Sequence, residues 1–94
     1  MATALVTDDT RYWPVEPGMM YVEEPRDHIT RLRVDGYRGR ALITPQVASY
    51  LITMEDGDGG VGYTQLAGHY DVVTSVAETM LTAAARKAGI EVKR

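Results

Sequence analysis

Cysteine, phenylalanine and asparagine are absent from this 94-residue sequence, and lysine occurs only twice. Without cysteine the chain has neither a disulfide framework nor a thiolate metal site, which is typical of cytoplasmic proteins. No apolar run reaches the length of about 18 residues that a membrane-spanning helix needs. The first nine residues carry no basic segment and include Asp8 and Asp9, which disfavours a secretory signal. We therefore expect a cytoplasmic protein with no contact with the membrane.

The residues that are present predict one small folded domain over 1–94. Hydrophobic residues make up 45% of the chain and charged residues 24%, an ordinary balance for a globular protein. The net charge is −3 although arginine is abundant, so any basic surface must be local. Six tyrosines and one tryptophan supply all the aromatic surface.

An amphipathic helix is the clearest pattern, over 71–88. Asp71 fits an N-cap, and Gly89 followed by Ile90 fits the end of a helix. Its apolar residues recur at helical spacing, at Val72, Val73, Val76, Ala77, Met80, Leu81, Ala84 and Ala88. The alanines among them would let the helix approach a sheet closely.

A β-hairpin is predicted over 29–43, with its turn at Asp35-Gly36, a dipeptide typical of tight type I′ turns. The sequence therefore predicts an α+β fold, a small antiparallel sheet centred on this hairpin and packed against the C-terminal helix. The stretch 46–54 is ambiguous, because Thr44-Pro45 favours a helix start whereas Tyr50 to Thr53 are strand formers. We favour the helix. Short strands are expected at 4–6, 19–23 and 90–93, and a loop at 55–62.

Catalytic and metal-binding patterns fail on spacing or context. The glycine-rich loop Gly57 to Gly62 fits G-x-G-x-x-G, but three acidic residues beside it disfavour phosphate binding, and the spacing of an EF-hand is not met. Only two histidines are present, and neither Ser49 nor Ser75 lies in a glycine-flanked elbow. We expect no enzyme activity, no cofactor and no metal site.

Four arginines of the hairpin form the one candidate site. A two-residue turn would place Arg33 opposite Arg38 and Arg31 opposite Arg40, so that all four guanidinium groups share one side of the ribbon. Like charges in such positions destabilise a hairpin and need anions nearby. Glu23, Glu24 or Asp27 would supply them from within the molecule, and a partner would supply them from outside. Tyr37 belongs to the same candidate binding site.

The partner expected for these arginines is an acidic surface on another protein. The alternative is a nucleic acid, whose phosphates the same ribbon would contact, but the net charge of −3 and the pI near 5.2 argue against it. A third class, a subunit that self-associates, is also compatible with the composition. A small arginine-biased binding module without cysteine suits an adaptor or inhibitor of phage or accessory-genome origin.

Overall fold

The structure, a computed structural model, describes residues 15–23 and 27–93. Its elements in chain order are β1 (Met20–Val22), β2 (Thr30–Val34), β3 (Arg40–Pro45), β4 (Tyr50–Glu55), β5 (Val61–Leu66) and α1 (Tyr70–Lys87). Each strand pairs antiparallel with the next one in the chain. α1 packs across one face of this sheet, against β2, β3 and β4. The predicted α+β fold is confirmed.

The core lies between α1 and the three central strands. Alternation along β2, β3 and β4 directs the apolar side chains of these strands towards the helix. α1 packs against them with a stripe of apolar side chains at helical spacing. The core residues that are at most 1% exposed are Leu32, Val34, Ala41, Ile43, Ile52, Val73, Ala77, Leu81 and Ala85. Two of these nine, Ala77 and Ala85, are alanines of α1.

The helix ends one residue earlier than predicted, and its C-terminal signal is confirmed. Gly89 has a positive φ of 90°, its N–H donates to the Arg86 carbonyl, and the Ile90 N–H donates to the Ala85 carbonyl. This is the Schellman pattern that the Gly-Ile pair predicts. At the other end the N-cap is His69, so Asp71 lies in the first turn. No helix among residues 15–23 and 27–93 has the length and hydropathy needed to cross a membrane.

The hairpin of β2 and β3 is present, but its predicted register is wrong by two residues. Arg33 lies opposite Arg40, and Arg31 lies opposite Leu42. The connection therefore takes up residues 35–39, and Arg38 does not belong to either strand. A shift by two residues keeps every strand residue on its predicted face.

The conformation of the turn explains this shift. Gly36 has a positive φ of 91°, but Asp35 does not, which excludes the type I′ turn that needs positive φ at both positions. The Tyr37 N–H donates to the Val34 carbonyl over 2.9 Å and closes the turn. Tyr37 then enters the core, where it is 8% exposed. Burial of this ring favours the longer connection over the tight turn.

The helix favoured for 46–54 is wrong, because residues 46–49 form a loop and Tyr50–Glu55 form strand β4. β4 pairs with β3 on one side and with β5 on the other. Val47, which a helix would have buried beside Leu51, is 97% exposed in the loop before β4. Pairing on both sides of the strand outweighs the local helix signal of Thr44-Pro45, because it satisfies the backbone and buries Ile52.

The remaining predictions have mixed outcomes. The strand expected at 19–23 is β1, whereas 90–93 contributes only one parallel bridge, from Lys93 to Met19. β5 was not predicted, and the glycine-rich loop is correspondingly shorter than 55–62. The strand expected at 4–6 lies outside the described residues.

Candidate partner-binding surface

The face of the sheet opposite α1 is called the open face here. No helix or strand of the described residues lies over it. Its side chains alternate with those of the core and come from all five strands and the residue after β1. They are Tyr21, Glu23, Arg31, Arg33, Arg40, Leu42, Thr44, Leu51, Thr53, Glu55, Val61, Tyr63 and Gln65.

One row of the open face carries most of its charge. The register aligns Tyr21, Arg33, Arg40, Glu55 and Val61 across the five strands in that order. Two arginines therefore face each other on neighbouring strands, which is unfavourable unless carboxylates lie beside them. The pairing of β3 with β4 supplies one such carboxylate next to Arg40.

Glu23 and Glu55 are the internal counter-ions of these two arginines. Arg40 Nε donates to Glu55 Oε1 over 2.7 Å, a short charge-assisted hydrogen bond. Glu23 lies between the two guanidinium groups, 3.4 Å from Arg33 Nη1 and 4.0 Å from Arg40 Nη1. Internal pairing, which the sequence left open, thus accounts for part of the basic surface. Glu24 lies outside the described residues.

Arg33 is held less firmly than Arg40. Both of its hydrogen bonds, to Glu23 and to the Tyr37 carbonyl, are 3.4 Å long. Its Nε atom is buried and has no hydrogen-bond partner among the residues that the structure describes. Ion-paired donors usually lie closer to their acceptors than this. The long hydrogen bonds of Nη1 and Nη2, rather than the buried Nε, are what a closer acceptor could replace.

Arg31 lies in the next row, opposite Leu42. Its Nη1 donates to the Ile29 carbonyl over 3.4 Å. Arg31, Arg33 and Arg40 are thus the three predicted site residues that the fold brings onto one face.

Arg38 and Tyr37 do not lie on the open face, which corrects the prediction that groups them with the other arginines. Arg38 is exposed in the 35–39 connection and lines a cleft of about 600 Å³ together with Asp58 and Lys87, on the helix side of the sheet. Tyr37 is part of the core, and its burial raises the pKa of its phenol, as does the charge of Asp56. A buried ring cannot anchor a partner.

Apolar and aromatic side chains complete the open face, and sequence reasoning missed most of them. Tyr63 is 69% exposed and Val61 is 52% exposed, both on β5, and Leu42 on β3 and Leu51 on β4 are half-buried. The alternation of Val61 and Tyr63 with Gly62 and Thr64 was a short signal for β5. Glu55 was missed because its strand was expected to be a helix.

The glycine-rich loop uses its acidic residues for its own structure. Asp56 accepts hydrogen bonds from the N–H groups of Asp58 and Gly60, each over 2.8 Å. These two bonds lower the pKa of the Asp56 carboxyl. Within 15–23 and 27–93, no group of three or more histidine or acidic residues is arranged to hold a metal ion. The loop is a connection between β4 and β5.

The serines and histidines that a nucleophilic mechanism would need lie at different places in the fold. Ser49 precedes β4, where its Oγ accepts a hydrogen bond from Gln65, and Ser75 lies within α1. His69 is the N-cap residue of α1 and makes no capping hydrogen bond with its side chain, and His28 lies in a turn with a positive φ of 61°.

Comparison of the chain with protein-family models, with curated proteins and with solved structures found no match. The chemistry of the open face is therefore the basis on which a function is assigned.

Proposed function

We propose that this protein is a non-catalytic binding module that docks its open face on an acidic surface of a partner protein. The observation that carries the proposal is that Arg31, Arg33 and Arg40 lie beside the half-buried Tyr21 and Leu42. They also share the open face with the exposed Val61 and Tyr63 of β5. Tyrosine and arginine are the residues most enriched at the centres of protein interfaces. An extended sheet face also holds them in fixed positions, which lowers the entropy lost on binding.

The acidic character of the partner follows from the charges on the open face. Among the residues that the structure describes, three arginines and two glutamates lie on it, an excess of one positive charge. Arg33 has only long hydrogen bonds, so a carboxylate of a partner would be a better acceptor than those it has. Arg40 and Arg31 add positive charge on either side. We infer a partner that presents a few carboxylates within an otherwise apolar surface.

A protein fits this surface better than a nucleic acid does. Glu23 lies between the guanidinium groups of Arg33 and Arg40, and Glu55 lies beside Arg40, so both carboxylates would repel a run of phosphates. The net charge of −3 adds repulsion at longer range. A protein partner tolerates both, because its charges can be placed to match individual side chains.

The biological setting is part of the same proposal. A binding module of this size suits a cytoplasmic adaptor or inhibitor, and an origin in a phage or accessory genome fits its small size and arginine bias. These assignments rest on the proposed docking role.

The test uses a charge swap that preserves the internal ion pair. Arg40→Glu/Glu55→Arg exchanges the two partners of the 2.7 Å hydrogen bond, so we expect it to fold. Wild type, this variant and the control Arg86→Glu, altered in the last turn of α1, are immobilised and exposed to a lysate of the source cells. We expect one polypeptide to be captured by wild type and by the control. The amount captured by the charge-swap variant should be lower by about ten-fold or more. The purified polypeptide should then bind with the same pattern.

Two results would overturn the proposal. The first is equal capture by the swap and the control, or capture of no polypeptide at all. The second is binding of purified wild type to duplex or single-stranded DNA at about micromolar concentration that weakens steeply between low and high salt. If this DNA binding is lost in Arg33→Glu/Arg40→Glu, the open face is a nucleic-acid-binding surface.

A further inference from the structure

The two edges of the sheet differ in how they are protected. β1 is only three residues long, and the segment that follows α1 lies beside it, since the Lys93 N–H donates to the Gly18 carbonyl and Lys93 pairs with Glu16 over 3.1 Å. β5 is six residues long and contains neither a charged residue nor a proline. Exposed strand edges usually carry such residues to prevent pairing with another chain. β5 therefore lacks the features that prevent an edge strand from pairing with a strand of another chain.

The backbone groups on the free side of β5 can be identified from its pairing with β4. The Asp56 N–H donates to the Gly60 carbonyl, so residues 56 and 60 form a hydrogen-bonded pair. In an antiparallel ladder such pairs alternate with non-bonded ones. The register then directs the backbone of Gly62 and Thr64 towards β4 and that of Val61, Tyr63 and Gln65 away from the sheet.

The free side of β5 is also sterically open within the described residues. α1 packs against β2, β3 and β4, so β5 projects beyond the helix. Val61 and Tyr63, whose backbone groups point outward, are 52% and 69% exposed. An apolar cleft between β5 and the helix, lined by Met54, Met80 and Ala83, lies along the same edge.

We propose that two copies of this chain pair through β5, antiparallel and in a register centred on Tyr63. In this register Tyr63 faces Tyr63 of the second copy and Val61 faces Gln65, which joins all three outward residues of each copy in six hydrogen bonds. No like charges meet along the strands, and the two tyrosines form an aromatic cross-strand pair. The result is a continuous ten-stranded sheet with two open faces side by side.

The ends of the two strands are compatible with this register. The loop that carries Asp56 and Asp58 precedes β5, and α1 begins four residues after it. Antiparallel pairing brings the acidic loop of each copy towards the start of α1 in the other, where helix N–H groups carry partial positive charge. A single strand pair buries less area than a standard interface, so we expect a dissociation constant in the micromolar range.

Sedimentation of the purified full chain between about 1 and about 500 µM tests the proposal, a range chosen to bracket a micromolar constant. We expect a monomer–dimer equilibrium. Tyr63→Lys should raise the dissociation constant about ten-fold or more, because two lysines would then face each other. Tyr21→Lys, the same change on the opposite edge of the open face, should leave it unchanged. A wild type that is monomeric throughout, or equal effects of the two variants, would overturn the proposal.

A second measurement does not depend on the folding of Tyr63→Lys. The chain contains no cysteine, so single cysteines report unambiguously. Tyr63→Cys places two sulfurs at the two-fold axis and should form a covalent dimer under mild oxidation, whereas Thr53→Cys in the middle of the open face should not. Equal cross-linking of both variants would exclude this register. Both measurements use the chain alone, so their outcome is independent of the proposed docking role.

Discussion

Glu55 is the residue that allows two arginines to lie side by side on the open face. Its carboxylate accepts the Arg40 Nε–H over 2.7 Å, and Glu23 is the other described carboxylate within 4.0 Å of the guanidinium pair. Sequence reasoning predicted that such a counter-ion is needed, but not this residue. A carboxylate on a strand that was not recognised cannot be assigned to its neighbours.

Replacing this carboxylate should weaken the fold modestly. We expect Glu55→Gln to lower the free energy of unfolding by about 1 kcal/mol, the upper range for a partly exposed ion pair, because it also exposes the repulsion between Arg33 and Arg40. Glu91→Gln, at an exposed position, should change it by less than about 0.5 kcal/mol. Urea denaturation measures both, and equal losses would contradict the role given to Glu55.

Tyr37 should make the stability of the protein sensitive to alkaline pH. Burial and the charge of Asp56 raise the pKa of its phenol above the ordinary value of 10.0, so the unfolded chain ionises first. Stability from this group is therefore complete below about pH 10 and falls as the pH rises towards the folded pKa. Denaturation of wild type and Tyr37→Phe at pH 8 and at about pH 11 should show the steeper loss in wild type. Equal losses of stability in wild type and Tyr37→Phe would contradict the burial of the Tyr37 phenol.

At the scale of elements, the close approach of α1 to the sheet depends on alanine. Ala77 is fully buried, and the same substitution can be made at Ala83 on the exposed side of the helix. We expect Ala77→Leu to lower the free energy of unfolding by about 2 kcal/mol through overpacking. Ala83→Leu should change it by less than about 0.5 kcal/mol. Thermal denaturation compares the stabilities of the two variants. An Ala77→Leu variant as stable as wild type would mean that α1 packs less closely on the sheet.

The 35–39 connection depends on a glycine for a different reason. A Cβ added at Gly39 would lie against the Glu55 carbonyl oxygen and 2.7 Å from the Tyr37 ring, whereas one added at Gly62 would meet nothing within 4 Å. We expect Gly39→Ala to cost about 1–3 kcal/mol and Gly62→Ala to be neutral or slightly stabilising. Chemical denaturation gives both values. A neutral Gly39→Ala would contradict the packing of this connection.

Local signals decided which elements were predictable. α1 and the β2–β3 hairpin carry strong periodicity and end signals, so their existence follows from the sequence. The hairpin register does not, because the entry of Tyr37 into the core is a tertiary effect. β4 was missed because pairing on both sides outweighed the helix signal of Thr44-Pro45. β5 was missed because it follows a run of glycines and its alternation of apolar and polar residues is short.

At the scale of the whole molecule, the sheet separates two surfaces of different chemistry. One face is covered by α1, and the open face combines arginine, glutamate, tyrosine and aliphatic residues. Arg31, Arg33 and Arg40 were predictable on one face because alternation along strands does not depend on the exact register. Arg38 was not, since its position depends on the length of the connection. The apolar part of the surface required the strands that the sequence did not reveal.

The central claim is that the open face contacts a partner protein, and photo-crosslinking within the source cells tests it most directly. A photoreactive amino acid is introduced at Thr53, in the middle of the open face, and in a control at Thr79, exposed on α1. We predict one discrete cross-linked species of higher mass from position 53 and none from position 79. The absence of a cross-linked protein from position 53, or the same product from both positions, would contradict the account.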